Sequence, residues 1–213
     1  MPTGESPHRR TGGRIRSEDA RAAVLTAAVE LVEELGYPAV TVEKVAARAE
    51  VAKSTIYRWW KSKAPLVMDA YRTVVEQRMP APDTGSAAGD LTAFATALYG
   101  VSAHPLRART LRGLMAEAQL DPDFAELFRA WVESRRAVVL DLLARGVARG
   151  ELPPGADLEA ATDRFFGLFW YRLLVGHRPL DPAEAAAHTA QLLAGLSGSQ
   201  PTSVGVSADG ELG

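Results

Sequence analysis

With 213 residues, 47% of them hydrophobic, and a net charge of −2, the chain has material for one sizeable core or for a small module joined to a larger body. It contains no cysteine, which excludes disulfides, thiolate catalysis and Cys-ligated zinc, and its four histidines (His8, His104, His177, His188) lack metal-ligand spacing. No apolar run approaches the roughly 20 residues that span a bilayer, and the start lacks the apolar stretch of a secretory signal, so a cytoplasmic protein without metal, cofactor or membrane partner is expected.

The opening 1–16 is rich in Gly, Pro and polar residues and carries Arg9, Arg10, Arg14 and Arg16, which predicts a flexible basic arm. Ser17 is then expected to cap a helix with Glu18 and Asp19 in its first turn and Ala20, Val24, Ala27, Ala28, Leu31 and Leu35 on one face, ending at Gly36 and Tyr37-Pro38. Thr41 caps a short helix over 42–49, a third follows over 52–60, and Ser62 caps a longer fourth that reaches about Met79.

The loop PAPDTGSAAG marks a boundary, and helical patterns follow at about 90–101, 105–119, 122–149, 157–177 and 182–196. The Gly/Ser-rich 197–213 reads as a disordered tail. No stretch reads as a strand, and the expectation is an all-α chain of about nine helices. Residues 17–61 would form one module and 62–196 a helical body.

Charge divides along the same line. Residues 1–63 hold 11 Lys and Arg against 8 Asp and Glu, and the remainder is net negative by 5. All four lysines (Lys44, Lys53, Lys61, Lys63) fall in one 20-residue stretch, as a local need for phosphate contact would place them.

Within that stretch, VEKVAARAEVAKSTIYRWW has the logic of a helix-turn-helix. Val45, Ala49, Val51, Ile56 and Trp60 are spaced to pack two short helices, and Ala46 is small where the helices approach. The opposite face offers Lys53, Ser54, Thr55, Tyr57 and Arg58, the cations and hydroxyls that reach phosphates and base edges in a major groove.

GYPAVTVEKVAARAEVAKSTIYRWWKSKAPLV resembles the N-terminal domain of the TetR family in residue types and spacing, over about residues 18–75. Three departures stand out. Glu50 occupies a turn position often held by Gly, where a positive φ would cost about 1 kcal/mol; Trp59-Trp60 replaces the usual His/Tyr-Phe pair; and Lys63-Ala64-Pro65 replaces Lys-Glu-Ala.

The resemblance implies a homodimeric repressor of palindromic double-stranded DNA, released by a small-molecule effector. Lys53, Ser54, Thr55 and Arg58 would face bases or nearby phosphates, and Thr41, Tyr57 and Lys63 the backbone. Lys53 and Arg58 are the leading base readers, since cations donate to guanine O6 and N7. Arg14 and Arg16, with Arg9 and Arg10, would follow an adjacent groove or serve only as a solubilising tail.

In the body, Tyr71, Phe94, Met115, Phe128, Trp131, Phe165, Phe169 and Trp170 are candidate pocket residues, with Gln119, Arg135, Thr162 and His177 as the few polar groups among them. RFFGLFWYRLLVGHR is apolar almost all round and must be covered on more than one side. The resemblance places a dimer interface there and in the last helix, at Leu168, Tyr171, Leu192 and Leu196. No catalytic constellation emerges, so a non-enzyme is expected; the competing reading is an all-α binding protein or enzyme whose helix-turn-helix-like scaffold does not touch DNA.

Overall fold

The computed structural model describes the backbone of residues 11–197 and the side chains of residues 17–196. All regular structure among them is helical: α1 (Thr11–Leu35), α2 (Val42–Arg48), α3 (Lys53–Tyr57), α4 (Lys63–Arg78), α5 (Ala87–Ala103), α6 (Pro105–Leu120), α7 (Pro122–Ala148), α8 (Leu158–Val175) and α9 (Ala185–Ser197), with 3-10 turns at Tyr37–Ala39 and Pro182–Glu184.

Local chemistry accounts for most boundaries. Thr41, Ser86, Asp121 and Asp157 each accept a hydrogen bond from a backbone N–H in the first turn of the helix they precede. Pro105 and Pro122 open α6 and α7, where a missing N–H costs nothing. Gly36 and Gly176, at φ 74° and 70°, close α1 and α8.

Two expected caps fail: Ser62 precedes α4 without a side-chain hydrogen bond to its first turn, and α1 begins upstream of Ser17. Ser17 does not begin α1; the helical backbone starts at Thr11, so Arg14 and Arg16 of the expected arm lie on helical backbone, and Glu18 and Asp19 sit beyond its first turn. The Ser17 hydroxyl instead accepts a 3.4 Å hydrogen bond from Arg58. The Arg14 and Arg16 side chains, and the whole of Arg9, Arg10 and 198–213, lie outside the described residues.

The core is continuous from one end to the other. Val24, Ala28 and Leu31 of α1 meet Val45 and Ile56 of the short helices and Leu66, Val67 and Ala70 of α4. From α4 the same core runs into α5–α8 through Tyr71, Val75, Phe94, Leu111, Trp131 and Phe169. α4 packs on α1 along one side and on α5, α6 and α7 along another, so it belongs to both parts of the molecule.

Candidate DNA interface and effector cavity

The helix-turn-helix is built on α2 and α3. Val45 and Ile56 are fully buried, Ala46 and Trp60 nearly so, and Ala49 and Val51 pack at the edge of the same core. Between the helices Glu50 takes φ 54°, the left-handed conformation. Val51 N–H donates to the Ala46 carbonyl (3.0 Å) and Glu50 N–H to that of Ala47 (3.4 Å), the paired bonds of a Schellman termination. The turn geometry therefore requires the positive φ that Gly would adopt freely.

Two clusters fix this module in place. Arg48 donates to both carboxylate oxygens of Glu34 at 2.9 Å and to Glu30 at 3.1 Å, tying α2 to α1. Asp69 of α4 accepts from Trp60 Nε1 and from Arg21 of α1, both at 2.9 Å, while the Arg21 guanidinium lies 5.3 Å from the Trp60 ring centroid.

The predicted reader residues divide by position. Thr41, Lys53, Ser54, Tyr57 and Arg58 are exposed, and Thr55 is half-buried. Thr41 is also the α2 cap, accepting from Lys44 N–H at 3.3 Å. Lys53 rests 3.4 Å from Glu43, and Arg58 lies 4.9 Å from the Trp59 ring centroid. Both are surface contacts of little strength that a phosphate or base edge can replace. Lys63 is different: half-buried, its ammonium sits 4.1 Å from the Tyr37 ring centroid and donates to the Tyr37 carbonyl at 3.4 Å. Its visible role is to fasten the start of α4 to the turn after α1.

Sequence reasoning missed the second junction. The Tyr37 hydroxyl donates to Glu117 of α6 at 2.9 Å, and Arg107 of α6 donates to Glu33 of α1 at 2.7 and 3.1 Å. Arg107's hydrogen bonds hold the Glu33 carboxyl below its ordinary pKa, and burial with the Glu117 bond pushes the Tyr37 phenol up, so it stays the donor. α6 thus grips the helix-turn-helix module directly. Partners so far apart in sequence leave no periodic signal.

In the body, a small cavity of about 20 Å³ lies among α4, α5, α6, α7 and α8. Tyr71, Phe94, Trp131, Phe169 and Trp170 line it, together with Val75, Met79, Leu98, Val101, Leu111, Val132, Phe166 and Arg135. Three predicted members do not. Phe128 is stacked among Phe124, Trp131 and Trp170, and half-buried Met115 accepts a hydrogen bond from Gln119. Phe165 packs on Phe94 and Phe166 and faces a separate groove with Leu168, His188 and Leu192. Of the predicted polar groups only Arg135 reaches the cavity: Thr162 donates to its own helix at Leu158 O, and exposed His177 stacks on Tyr171.

These features coincide with known sequences. Residues 24–70 match the model of bacterial regulatory proteins of the tetR family, and residues 81–192 match that of the tetracyclin repressor-like C-terminal domain. The chain belongs to the TetR family. It is 40% identical over 167 residues to the uncharacterized HTH-type transcriptional regulator YdeS of Bacillus subtilis (strain 168), covering 76% of this chain and 82% of that protein. It is 29% identical over 177 residues to the HTH-type transcriptional regulator AqdR of Rhodococcus erythropolis, covering 83% and 84%. The crystal structure of the TetR family transcription regulator SCO0332 superposes with a TM-score of 0.75 at 35% identity, covering 83% of this chain and 98% of that one. FadR of Bacillus subtilis, in complex with stearoyl-CoA, shares the fold with a TM-score of 0.66 at 21% identity, covering 82% and 98%. This TetR-family protein is therefore a DNA-binding transcriptional regulator of the repressor type.

The TetR-type body carries an exposed apolar stripe on α8. Gly167, Tyr171, Leu174 and Val175 are exposed at helical spacing, with half-buried Leu168 beside them. On α9, Leu192 is half-buried and Ala187 and Ala190 are exposed. Leu196 corrects the predicted interface: at 3% exposure it is buried in its own chain and offers no surface to a partner. Amphipathic spacing shows that Leu196 is buried, but not whether its own fold or a second copy does the burying.

Proposed function

We propose that the protein is a homodimeric repressor that leaves its operator when a small, mostly apolar ligand fills the cavity above α4. The observation that carries this reading is the double role of α4. Tyr71, Val75 and Met79 form one wall of the cavity, while the same helix packs on α1 and holds the DNA-binding module through Lys63 and Asp69. A ligand that displaces α4 must therefore shift the recognition helix α3.

The free space for the centre of a water-sized sphere is only ≈ 20 Å³, about one water. A ligand must push the lining apart to enter, which couples occupancy to movement, and by linkage DNA and ligand weaken each other's binding equally. The FadR neighbour, in complex with stearoyl-CoA, supports the idea that this fold accepts an effector with a long apolar part.

The α8 stripe of Leu168, Tyr171, Leu174 and Val175 supports dimerisation, with the small residues of α9 completing a surface on which two copies pack closely. Two copies place two recognition helices on half-sites about 34–36 Å apart or a multiple of it. Arg14 and Arg16, on the first turns of α1, would add contacts beside the helix-turn-helix. The protein acts in the cytoplasm, as a regulator rather than a catalyst.

Sequencing the genomic fragments that the protein retains tests this reading. Palindromic sites with half-sites one helical turn or a multiple apart are expected, with binding that weakens steeply as salt rises. Retention of fragments without a shared motif, or none, contradicts it.

A further inference from the structure

We propose that the cavity is built for a carboxylate with an apolar body, the acid group being received by Arg135 and Trp131. The inference rests on reading the cavity as the effector site, and it names what that site recognises.

Twelve of the thirteen lining residues are apolar or aromatic, and the single charged one is Arg135. Its NH1 nitrogen is buried without a hydrogen-bond partner among the described residues, and so is Trp131 Nε1. The two residues lie four apart on α7, on the same face of the helix, and both line the cavity.

An unpaired indole N–H in an apolar interior is costly, and an unpaired guanidinium nitrogen more so. Desolvation lowers the Arg135 pKa, against which the carboxylate of Glu76 on α4 acts. Glu76 does not relieve it by contact: it is mostly exposed and pairs with Arg72 at 3.4 Å. Half-buried Arg135 and buried Trp131 thus bring a cation and a neutral donor to an apolar cavity, and no acceptor among the described residues meets Arg135 NH1 or Trp131 Nε1.

A neutral apolar ligand would leave both donors unsatisfied and exclude water from them. A carboxylate has two oxygens that accept from both donors, one through a charge-assisted bond, while its apolar body lies against Phe94, Leu98 and Phe169. The arrangement separates acids from alcohols or hydrocarbons of the same shape.

The test is calorimetric titration of the full-length protein with decanoate against 1-decanol, and with 1-naphthoate against 1-naphthalenemethanol. Each acid is expected to bind about 10- to 100-fold more tightly than its neutral partner. Arg135→Met should reduce the acid's affinity to about that of the alcohol while lowering the alcohol's far less, with circular dichroism showing that the variant is folded. Arg135→Lys should restore part of the preference, and Trp131→Phe should remove a smaller part of it.

Equal affinity for acid and alcohol in the native protein, or a preference that survives Arg135→Met, overturns the proposal. If neutral ligands bind without preference and still release DNA, the effector-cavity reading stands and this one fails. If neither acid nor alcohol binds, both fail.

Discussion

The Tyr37 hydroxyl donates a 2.9 Å hydrogen bond to Glu117, and the buried ring that carries it lies against Gly113, one helical turn earlier on α6. A Cβ added at Gly113 would stand 2.4 Å from Tyr37 Cδ1, closer than atoms can approach. The absent side chain at Gly113 lets the turn after α1 dock on α6, so the regulatory body holds the DNA-binding module at this point as well as through α4.

Gly113→Ala should therefore destabilise the protein although it improves helix propensity. The propensity gain is at most about 1 kcal/mol, whereas overpacking against a ring that cannot move costs about 1–3 kcal/mol. Denaturant unfolding should show a net loss, and the double variant Gly113→Ala, Tyr37→Ala should show a smaller increment from the alanine than the native background does. An increment of the same size in both backgrounds would contradict the contact.

Glu50→Gly should act in the opposite direction. The left-handed backbone at Glu50 costs a residue with a Cβ about 1–2 kcal/mol, offset in part by the greater unfolded-state entropy of Gly. A gain of up to about 1 kcal/mol in unfolding free energy is expected, with operator affinity unchanged. A loss of stability would show that the Glu50 side chain contributes more than its backbone costs.

This strain is legible in the sequence alone, because GYPAVTVEKVAARAEVAKSTIYRWW places a non-Gly residue at the turn between two helices whose packing residues are plain. The caps at Thr41 and the Pro-led helices were legible for the same reason: a backbone requirement selects a residue type locally. Ser17 misled because a serine caps only where the chain leaves the helix upstream, and here its hydroxyl serves Arg58. Cavity membership was only half legible. Phe128 and Phe169 have the same apolar helical signature, yet one fills a stack and the other faces free space. The Tyr37–Glu117 and Arg107–Glu33 junctions join residues 80 and 74 positions apart, which no local pattern encodes.

His188 gives the protein a pH dependence of definite sign. Burial and the Arg172 and Arg178 guanidinium groups lower its pKa, opposed by Glu184; Tyr99 and Arg172 contact its ring nitrogens at 3.2 Å. With the folded pKa below the unfolded value of about 6.5, the unfolded chain takes up the proton first. This contribution to stability is complete above about pH 6.5 and is lost as pH falls toward the folded pKa. Thermal unfolding from pH 7.5 to 5 should show the decline, and His188→Gln should flatten it. Glu33 and Glu184, both lowered by arginine partners, contribute their own loss only at lower pH, as it falls below the ordinary carboxylate value of about 4.3.

Filling the cavity from α5 tests whether its occupancy is what moves α4. Leu98→Trp places a larger side chain into the space that Tyr71, Val75 and Met79 face. Ligand affinity should fall about 10-fold or more, and since the indole has to push the same lining apart, operator affinity should fall as well even without ligand. Retained ligand-induced release of DNA, measured by fluorescence anisotropy of a labelled operator, would move the effector site elsewhere.

The central claim is that α3 reads DNA through its exposed face, and Lys53→Ala combined with Arg58→Ala tests it most directly. Both side chains are exposed and make only weak surface contacts, so the fold should be unchanged by circular dichroism. Operator affinity, measured by anisotropy at fixed salt, should fall on the order of 100-fold or more, since each lost base contact costs about 1–3 kcal/mol and a dimer, as proposed, would lose two sets. Unchanged affinity and unchanged discrimination between operator and scrambled DNA would contradict the account.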